Sequence, residues 1–226
     1  MNFYPEEFLD LEKCDLPEIF AGMNRVWEPI KKIADFLAGK KSSFAVHGEI
    51  KAGAHVLGPV HLGVGSVIEP GAVILGPCWI GRDVKVRAGA YIRENVIIGS
   101  HSVVGNSCEL KNCLLFQGCE VPHFNYVGDS VLGHRAHLGA GAILSNVRLD
   151  RREVCVQFGG EKISTGLKKF GAVIGDFTEV GCNCVINPGS IIGRRCVIHP
   201  LVSWKGVLEE GHVVRNTNGM SIFQSV

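Results

Sequence analysis

Branched aliphatic residues recur at every sixth position along much of the chain. They stand at Ile50, Val56, Leu62, Ile68, Ile74, Ile80, Val86, Ile92, Ile98, Val104 and Leu110, again at Leu132, Leu138 and Leu144, and again at Ile174, Val180, Ile186, Ile192 and Ile198. A period of six matches neither the 3.6-residue turn of a helix nor the two-residue alternation of a single strand. It matches a hexapeptide repeat, in which three short strands and three turns close one triangular coil of a parallel β-helix. The aliphatic residue of each hexapeptide points inward, and the stack of them forms the core. Gly follows several of them directly, at Gly63, Gly81, Gly99 and Gly105, where the chain must turn tightly. Residues 44–204, less insertions, make roughly seven or eight coils, a prism about 35–40 Å long at the inter-strand spacing.

The segments that depart from the period divide the chain. Residues 1–42 carry no repeat and read as a helical N-terminal cap. Within them 18–38 (EIFAGMNRVWEPIKKIADFLA) predicts two short amphipathic helices broken near Pro29, the second ended by Gly39 and Lys40–Lys41. Their apolar residues need a surface, and the open first coil is the expected one. The β-helix itself is expected over 43–204, and 205–226 reads as a tail folding back on the last coil. The ladder slips between Leu110 and Leu132, whose separation is not a multiple of six, so 111–131 is expected to hold a loop or a distorted corner. A second break, about 147–170, keeps the register. Its alternation Val154, Val156, Phe158, then Gly159–Gly160, then Ile163 predicts a β-hairpin.

Composition narrows the classes. A net charge of +1 provides no global field for nucleic acid. No run of apolar residues is long enough for a membrane span, and the acidic start MNFYPEEFLDLEKCD does not resemble a secretory signal, so a cytoplasmic protein is expected. The 9 cysteines are odd in number and include no CxxC pair, which predicts reduced, mostly buried thiols and no metal site, Cys182 and Cys184 included. His47, His55, His61, His101 and His134 fall at outward repeat positions and are expected to be solvated. No two histidines stand five apart, as a zinc-dependent β-helix enzyme of the carbonic anhydrase type would require.

The slip at 111–131 concentrates Lys111, His123, Tyr126 and Asp129. A histidine there is suited to general-base work near neutral pH, and a solvated loop histidine is an equally good reading of the same residue. The basic run in 148–169 (Arg148, Arg151, Arg152, Lys162, Lys168, Lys169) reads first as a solvated hairpin, with a phosphate or coenzyme role raised by its place beside Asn146.

The segments His123-Phe-Asn-Tyr126-Val-Gly-Asp129-Ser, Leu138-Gly-Ala-Gly-Ala-Ile-Leu-Ser-Asn146 and Lys168-Lys-Phe-Gly-Ala-Val-Ile-Gly175 resemble the acetyltransferase domain of the bifunctional glucosamine-1-phosphate acetyltransferase/N-acetylglucosamine-1-phosphate uridyltransferases, above all the archaeal-type sugar-1-phosphate nucleotidyltransferase/acetyltransferases. The resemblance covers about 44–205 and is most specific over 109–175. It implies an all-β, left-handed parallel β-helix and a homotrimer with active sites between subunits. It further implies acetyl-CoA as donor and an amino-sugar 1-phosphate of the glucosamine 1-phosphate type as acceptor.

By that resemblance His123 is the catalytic base and Asn146 positions the amine. Lys111 and Tyr126 contact the sugar phosphate, and the Ala140 N–H faces the oxyanion. Donor contacts are implied at Ala140, Cys182, Pro200 and Lys168. The family's phosphate-binding Arg corresponds to Arg87 by local motif and to Arg93 by spacing, with Arg87 slightly favoured. Two family positions are changed, an Asn to His137 and a Lys to Arg152. No segment resembles the Gly-rich start LAAGxGTR of the uridyltransferase, so no uridyl transfer is expected of this sequence. The alternatives are an acyltransferase acting on a nucleotide sugar or with a longer acyl donor, and a non-catalytic oligomerisation or regulatory partner of a separate nucleotidyltransferase.

Overall fold

A computed structural model describes residues 2–216 and 220–224. Its core is a three-sided parallel β-helix. Face 1 runs from Glu49–Ile50 through Val197–Ile198 to His212–Asn216, and Met220–Gln224 adds an antiparallel strand at its end. Face 2 runs from His55–Leu57 to Ser203–Trp204, and face 3 from Val60–Leu62 to Val207–Leu208. The ladder residues are sequestered inside the prism: Leu62, Ile68, Ile74, Ile80, Leu110, Leu138 and Ile186 are all fully buried. The coil that the six-residue period predicts is therefore the fold.

The slip at 111–131 contains no loop. Ile80 pairs with Ile98, eighteen residues on, but Ile98 pairs with Leu115 and Leu115 with Leu132, each seventeen on. On two successive coils the step from face 2 to face 3 has lost one residue, at Asn112 and Asp129, where φ is 46° and 47°. Asn and Asp tolerate this left-handed conformation better than other residues with a Cβ, so the tighter corner is accommodated without an insertion. The hairpin forms as expected, Val154–Phe158 against Glu161–Leu167, with Gly159–Gly160 turning at positive φ.

The N-terminal segment does not cap the first coil. It lies lengthwise along face 3, where Phe8, Ile19, Phe20, Val26, Trp27, Ile30, Ile33 and Leu37 form a second core with the outward residues Ile97, Leu114, Val131, Val173 and Ile191. Val154 and Val156 of the hairpin complete the cover. Each such side chain taken out of water contributes roughly 1.5–3 kcal/mol, which explains the preference for a long apolar face over one coil end. Only Ile33–Lys40 of the two expected helices is α-helical. Pro17–Phe20 and Glu28–Lys31 are single 3-10 turns begun by their prolines, because the segment follows the prism rather than its own helical period.

Polar pins hold this strap in register. Asp15 accepts the N–H of Ser100 at 3.0 Å and the Gln117 amide at 3.0 Å, and Asp176 accepts the N–H groups of Asp10 and His134, each at 2.7 Å. The first coil stays open, with Val46, Ile50 and Leu57 exposed by 54%, 39% and 61%.

The coil also continues past 204. Leu208 and Val214 pair with Ile192 and Ile198, so residues expected to be tail complete a further, shorter turn. Two of the histidines expected in solvent are half-buried: His61 stacks on Trp79 at 3.7 Å, and His134 Nδ1 lies 2.8 Å from the Gln117 carbonyl oxygen. Among the described residues no helix is long and apolar enough to cross a membrane.

Candidate functional site

Two groups of the expected site residues occupy neighbouring parts of the prism. The first is the corner between faces 1 and 2. There the chain passes through Asn106, His123, Ala140, Cys182 and Pro200 on successive coils, each followed by a left-handed residue: Ser107, Phe124, Gly141, Asn183 and Leu201. Coil-to-coil bonds stack them. Gly141 N–H donates to the His123 carbonyl at 3.0 Å, Asn183 N–H to that of Ala140 at 2.9 Å, and Leu201 N–H to that of Cys182 at 3.0 Å. The N–H groups of Ala140 and Cys182 have no partner among the described residues. Gly139 is required beside them, since a Cβ there would lie 2.6 Å from the Cys182 nitrogen.

His123 is exposed, and its backbone is fixed by Asn125. That buried side chain accepts the His123 N–H at 3.0 Å and donates to the carbonyls of Gly139 at 2.8 Å and Ala142 at 3.2 Å, so it ties two coils together beneath the histidine. Phe124 holds a φ of 53° and is 60% exposed, an uncommon combination for an aromatic residue.

The second group lies on face 2 and its far corner. Tyr126 begins the strand after His123, and Glu109 and Tyr91 occupy the same position on the two preceding coils. Lys111 and Gly128 form the next column. Arg93 follows Ile92 on this face and binds Glu109 through Nη1 at 2.9 Å. Arg87 follows Val86 on face 1 and does not share the surface of Lys111 and Tyr126. The tyrosine side chain passes over Gly128, where a Cβ would be 2.5 Å from its hydroxyl and 2.7 Å from Asn146 Nδ2. Burial pushes the Tyr126 phenol up, and the charges of Asp129 and Glu109 add to the rise against the Asn146 hydrogen bond and Arg93.

At the corner between faces 2 and 3, Asn95, Asn112, Asp129 and Asn146 stand seventeen residues apart on successive coils. Asp129 is 4% exposed. It accepts from Asn112 Nδ2 at 2.8 Å and from Asn146 Nδ2, and Lys111 Nζ lies 3.5 Å away. Asn112 also donates to the Ile30 carbonyl at 3.1 Å and so links this corner to the strap.

The other expected residues lie apart from these groups. His137 stands on face 1, its Nδ1 2.7 Å from Glu179 Oε2. Arg152 and Lys168 are exposed at the root of the hairpin, whose apolar side turns to face 3 rather than face 2. Asn125, Asn112 and Asp129 carry the site's polar bonds but were assigned no role from sequence. For Asn112 and Asp129 the signal is the seventeen-residue spacing of Asx residues, which a period of six conceals; Asn125 stands in no such series.

Comparison with known proteins agrees with this architecture. Residues 171–202 match the family described as bacterial transferase hexapeptide (six repeats), and residues 74–165 match the GMPPB C-terminal domain. The bifunctional protein GlmU of Methanococcus maripaludis (strain C5) is 38% identical over 178 residues, covering 76% of this chain and 43% of the relative. The bifunctional sugar-1-phosphate nucleotidylyltransferase/acetyltransferase of Sulfurisphaera tokodaii is 39% identical over 111 residues, covering 49% of this chain and 28% of the relative. The chain thus spans less than half the length of these two curated relatives. Among solved structures, a UDP-N-acetylglucosamine acyltransferase from Campylobacter jejuni is 17% identical with a TM-score of 0.49, covering 77% of this chain and 66% of that one. The chain carries a hexapeptide-repeat domain and resembles the acetyltransferase part of GlmU-type proteins.

Proposed function

We propose that this domain transfers an acetyl group from acetyl-CoA to the amine of an amino-sugar 1-phosphate, of the glucosamine 1-phosphate type, with His123 as general base and the site completed in a homotrimer. The observation that carries the reading is the alignment of His123, Ala140, Cys182 and Pro200 on one corner, beside a face that presents Arg93, Lys111, Tyr126 and Asn146. The corner suits a long, thin donor lying across successive coils. The face suits a phosphorylated sugar, with two cations for the phosphate and a phenol and an amide for the ring and its nitrogen.

In this mechanism the amine nitrogen attacks the thioester carbonyl while His123 removes its proton. The Ala140 N–H binds the oxyanion as it forms. Collapse of the tetrahedral intermediate breaks the C–S bond, and the imidazolium returns its proton to the CoA thiolate. Arg93 replaces Arg87 as the preferred phosphate ligand, because it stands on the face of Lys111 and Tyr126.

The test is thiol release from acetyl-CoA, followed with a chromogenic disulfide, with glucosamine 1-phosphate and galactosamine 1-phosphate as acceptors. Replacing His123 with Ala is expected to lower kcat by roughly 100-fold or more with the melting curve unchanged. Undiminished turnover in that variant overturns the mechanism.

A second reading is that the domain serves a nucleotidyltransferase without catalysing transfer itself. It is favoured by the exposed apolar end of the first coil, at Val46, Ile50 and Leu57, and by the bifunctional nature of the relatives. No acetyl-CoA binding in equilibrium dialysis, with a nucleotidyltransferase co-purifying, would favour it over the first.

A further inference from the structure

The Asp129 carboxylate lies at the centre of the second group, almost closed to solvent, with Lys111 Nζ 3.5 Å away. It is 4% exposed, and it accepts from the side-chain amides of the residues one coil before and one coil after it, Asn112 through Oδ1 and Asn146 through Oδ2. An ionised carboxylate has only acceptors, so an amide turned toward it must present its NH2 group. Asn146 therefore faces Asp129 with nitrogen. The same nitrogen and the Tyr126 hydroxyl both stand over Gly128, 2.7 and 2.5 Å from where a Cβ there would lie, so the amide nitrogen is turned toward the phenol as well as the carboxylate. With the amide nitrogen held inside the corner, the carbonyl oxygen Oδ1 is the polar atom of that side chain left for a ligand.

We infer that Asp129 is a positioning residue that fixes the Asn146 amide with its oxygen toward the acceptor, and that this orientation selects an amine over a hydroxyl as the group acylated. The inference rests on the function proposed above. An amine nucleophile carries two hydrogens. One goes to the base and the other is donated to Asn146 Oδ1, which aims the lone pair at the thioester. A hydroxyl has a single hydrogen, which the base removes, so Oδ1 would be left desolvated and unpaired. Such a mismatch is the kind that sites built from polar groups use to reject the wrong ligand.

The experiment compares Asp129→Asn, Asn146→Ala and the double variant. Asn at 129 keeps the side-chain shape and the tolerance for a φ of 47°, but one of its two polar atoms now donates. It faces either the Asn112 or the Asn146 amide with the wrong sign, and the Asn146 amide loses its fixed orientation. With amino-sugar 1-phosphate, D129N is expected to lower kcat by roughly 100-fold, with KM for acetyl-CoA unchanged. The double variant is expected to be no slower than N146A. A residue that merely supports the corner would give penalties that multiply, and would lower amine and hydroxyl transfer alike; either result overturns the inference.

The same three variants are unfolded in urea. Stabilities that are coupled rather than additive support the carboxylate–amide contact, and additive stabilities refute it whatever the enzyme's activity. A wild-type protein that acetylates no amino sugar, with coupled stabilities, would retain the contact and overturn both the proposed function and the amine selection resting on it.

Discussion

Leu114 points away from the coil interior, between two inward neighbours, Cys113 and Leu115. A half-exposed strand would leave it in water. In this fold it is fully buried, between Ile97 and Val131 of the adjacent coils and beneath the strap. Replacing it with Ala removes three buried carbons, worth about 0.8 kcal/mol each in transfer from water. The cavity left behind adds to this, and fully buried Leu→Ala changes cost about 2.7–5 kcal/mol in total. A loss of about 3–4 kcal/mol is therefore expected, a large part of the stability of a typical domain, about 5–15 kcal/mol. The control is Val185→Ala, an outward residue of face 2 that is 37% exposed and covered by no strap; it should cost under about 1 kcal/mol. Urea unfolding followed by circular dichroism gives the two values. Limited proteolysis reports whether residues 3–43 become cleavable, as they should when their seat is weakened. A cost for Leu114→Ala below about 1 kcal/mol, equal to the control and without new cleavage, would refute the strap's role as the cover of face 3.

Further outcomes are expected of one thiol, two glycines and one tyrosine. Cys182 is the exposed thiol, while burial pushes the Cys14 and Cys78 thiols up to about 12, so a chromogenic disulfide at neutral pH should label Cys182 first. Acetyl-CoA should slow that labelling if the corner holds the donor, and Cys182→Ser should abolish the fast phase. Gly128→Ala places a Cβ 2.5 Å from the Tyr126 hydroxyl and 2.7 Å from Asn146 Nδ2, both movable side-chain ends, so acceptor turnover should fall with the fold intact. Gly105→Ala places one 1.5 Å from the Pro122 backbone oxygen and should cost roughly 2–3 kcal/mol, read from thermal or urea unfolding. The Tyr126 phenol, raised by burial, should ionise above the ordinary tyrosine range in an ultraviolet titration, and Tyr126→Phe should remove that late transition. The sign follows from the raised folded value. The neutral phenol's contribution to stability is complete below the unfolded tyrosine value and is lost as pH rises through the folded one, so wild type should lose more stability than Tyr126→Phe at strongly alkaline pH.

The inward ladder was legible because it is local and periodic. Each hexapeptide must supply one apolar residue to a narrow core, so Ile68, Ile74 and Ile80 announce the coil without reference to anything distant. The hairpin was legible for the same reason, since its two strands and Gly159–Gly160 are contiguous. The chemistry-bearing cluster was visible as composition and through its family resemblance. What sequence alone left open was which residues share a surface. Arg87 and Arg93 differ by one hexapeptide, and a shift of one hexapeptide moves a residue from one face of the prism to the next. Asp129 and Asn146 are brought together by coil stacking, and their separation of seventeen residues along the chain follows from the one shortened corner that lies between them.

The seat of the strap was not legible in the sequence. Its apolar residues announced that they would be buried but not where. The runs Val96-Ile97-Ile98, Cys113-Leu114-Leu115 and Ala172-Val173-Ile174 are apolar on both sides of their strands, which marks face 3 as covered. Nothing in their pattern names what covers it. Burial is set by area and shape across the folded surface, and a long apolar face outcompetes a single open coil end. Sequence by itself determined the coil, its core and the hairpin, because those depend on neighbours in the chain. The seat of the strap, the tight corners and the company each polar residue keeps were decided only when the coils stacked.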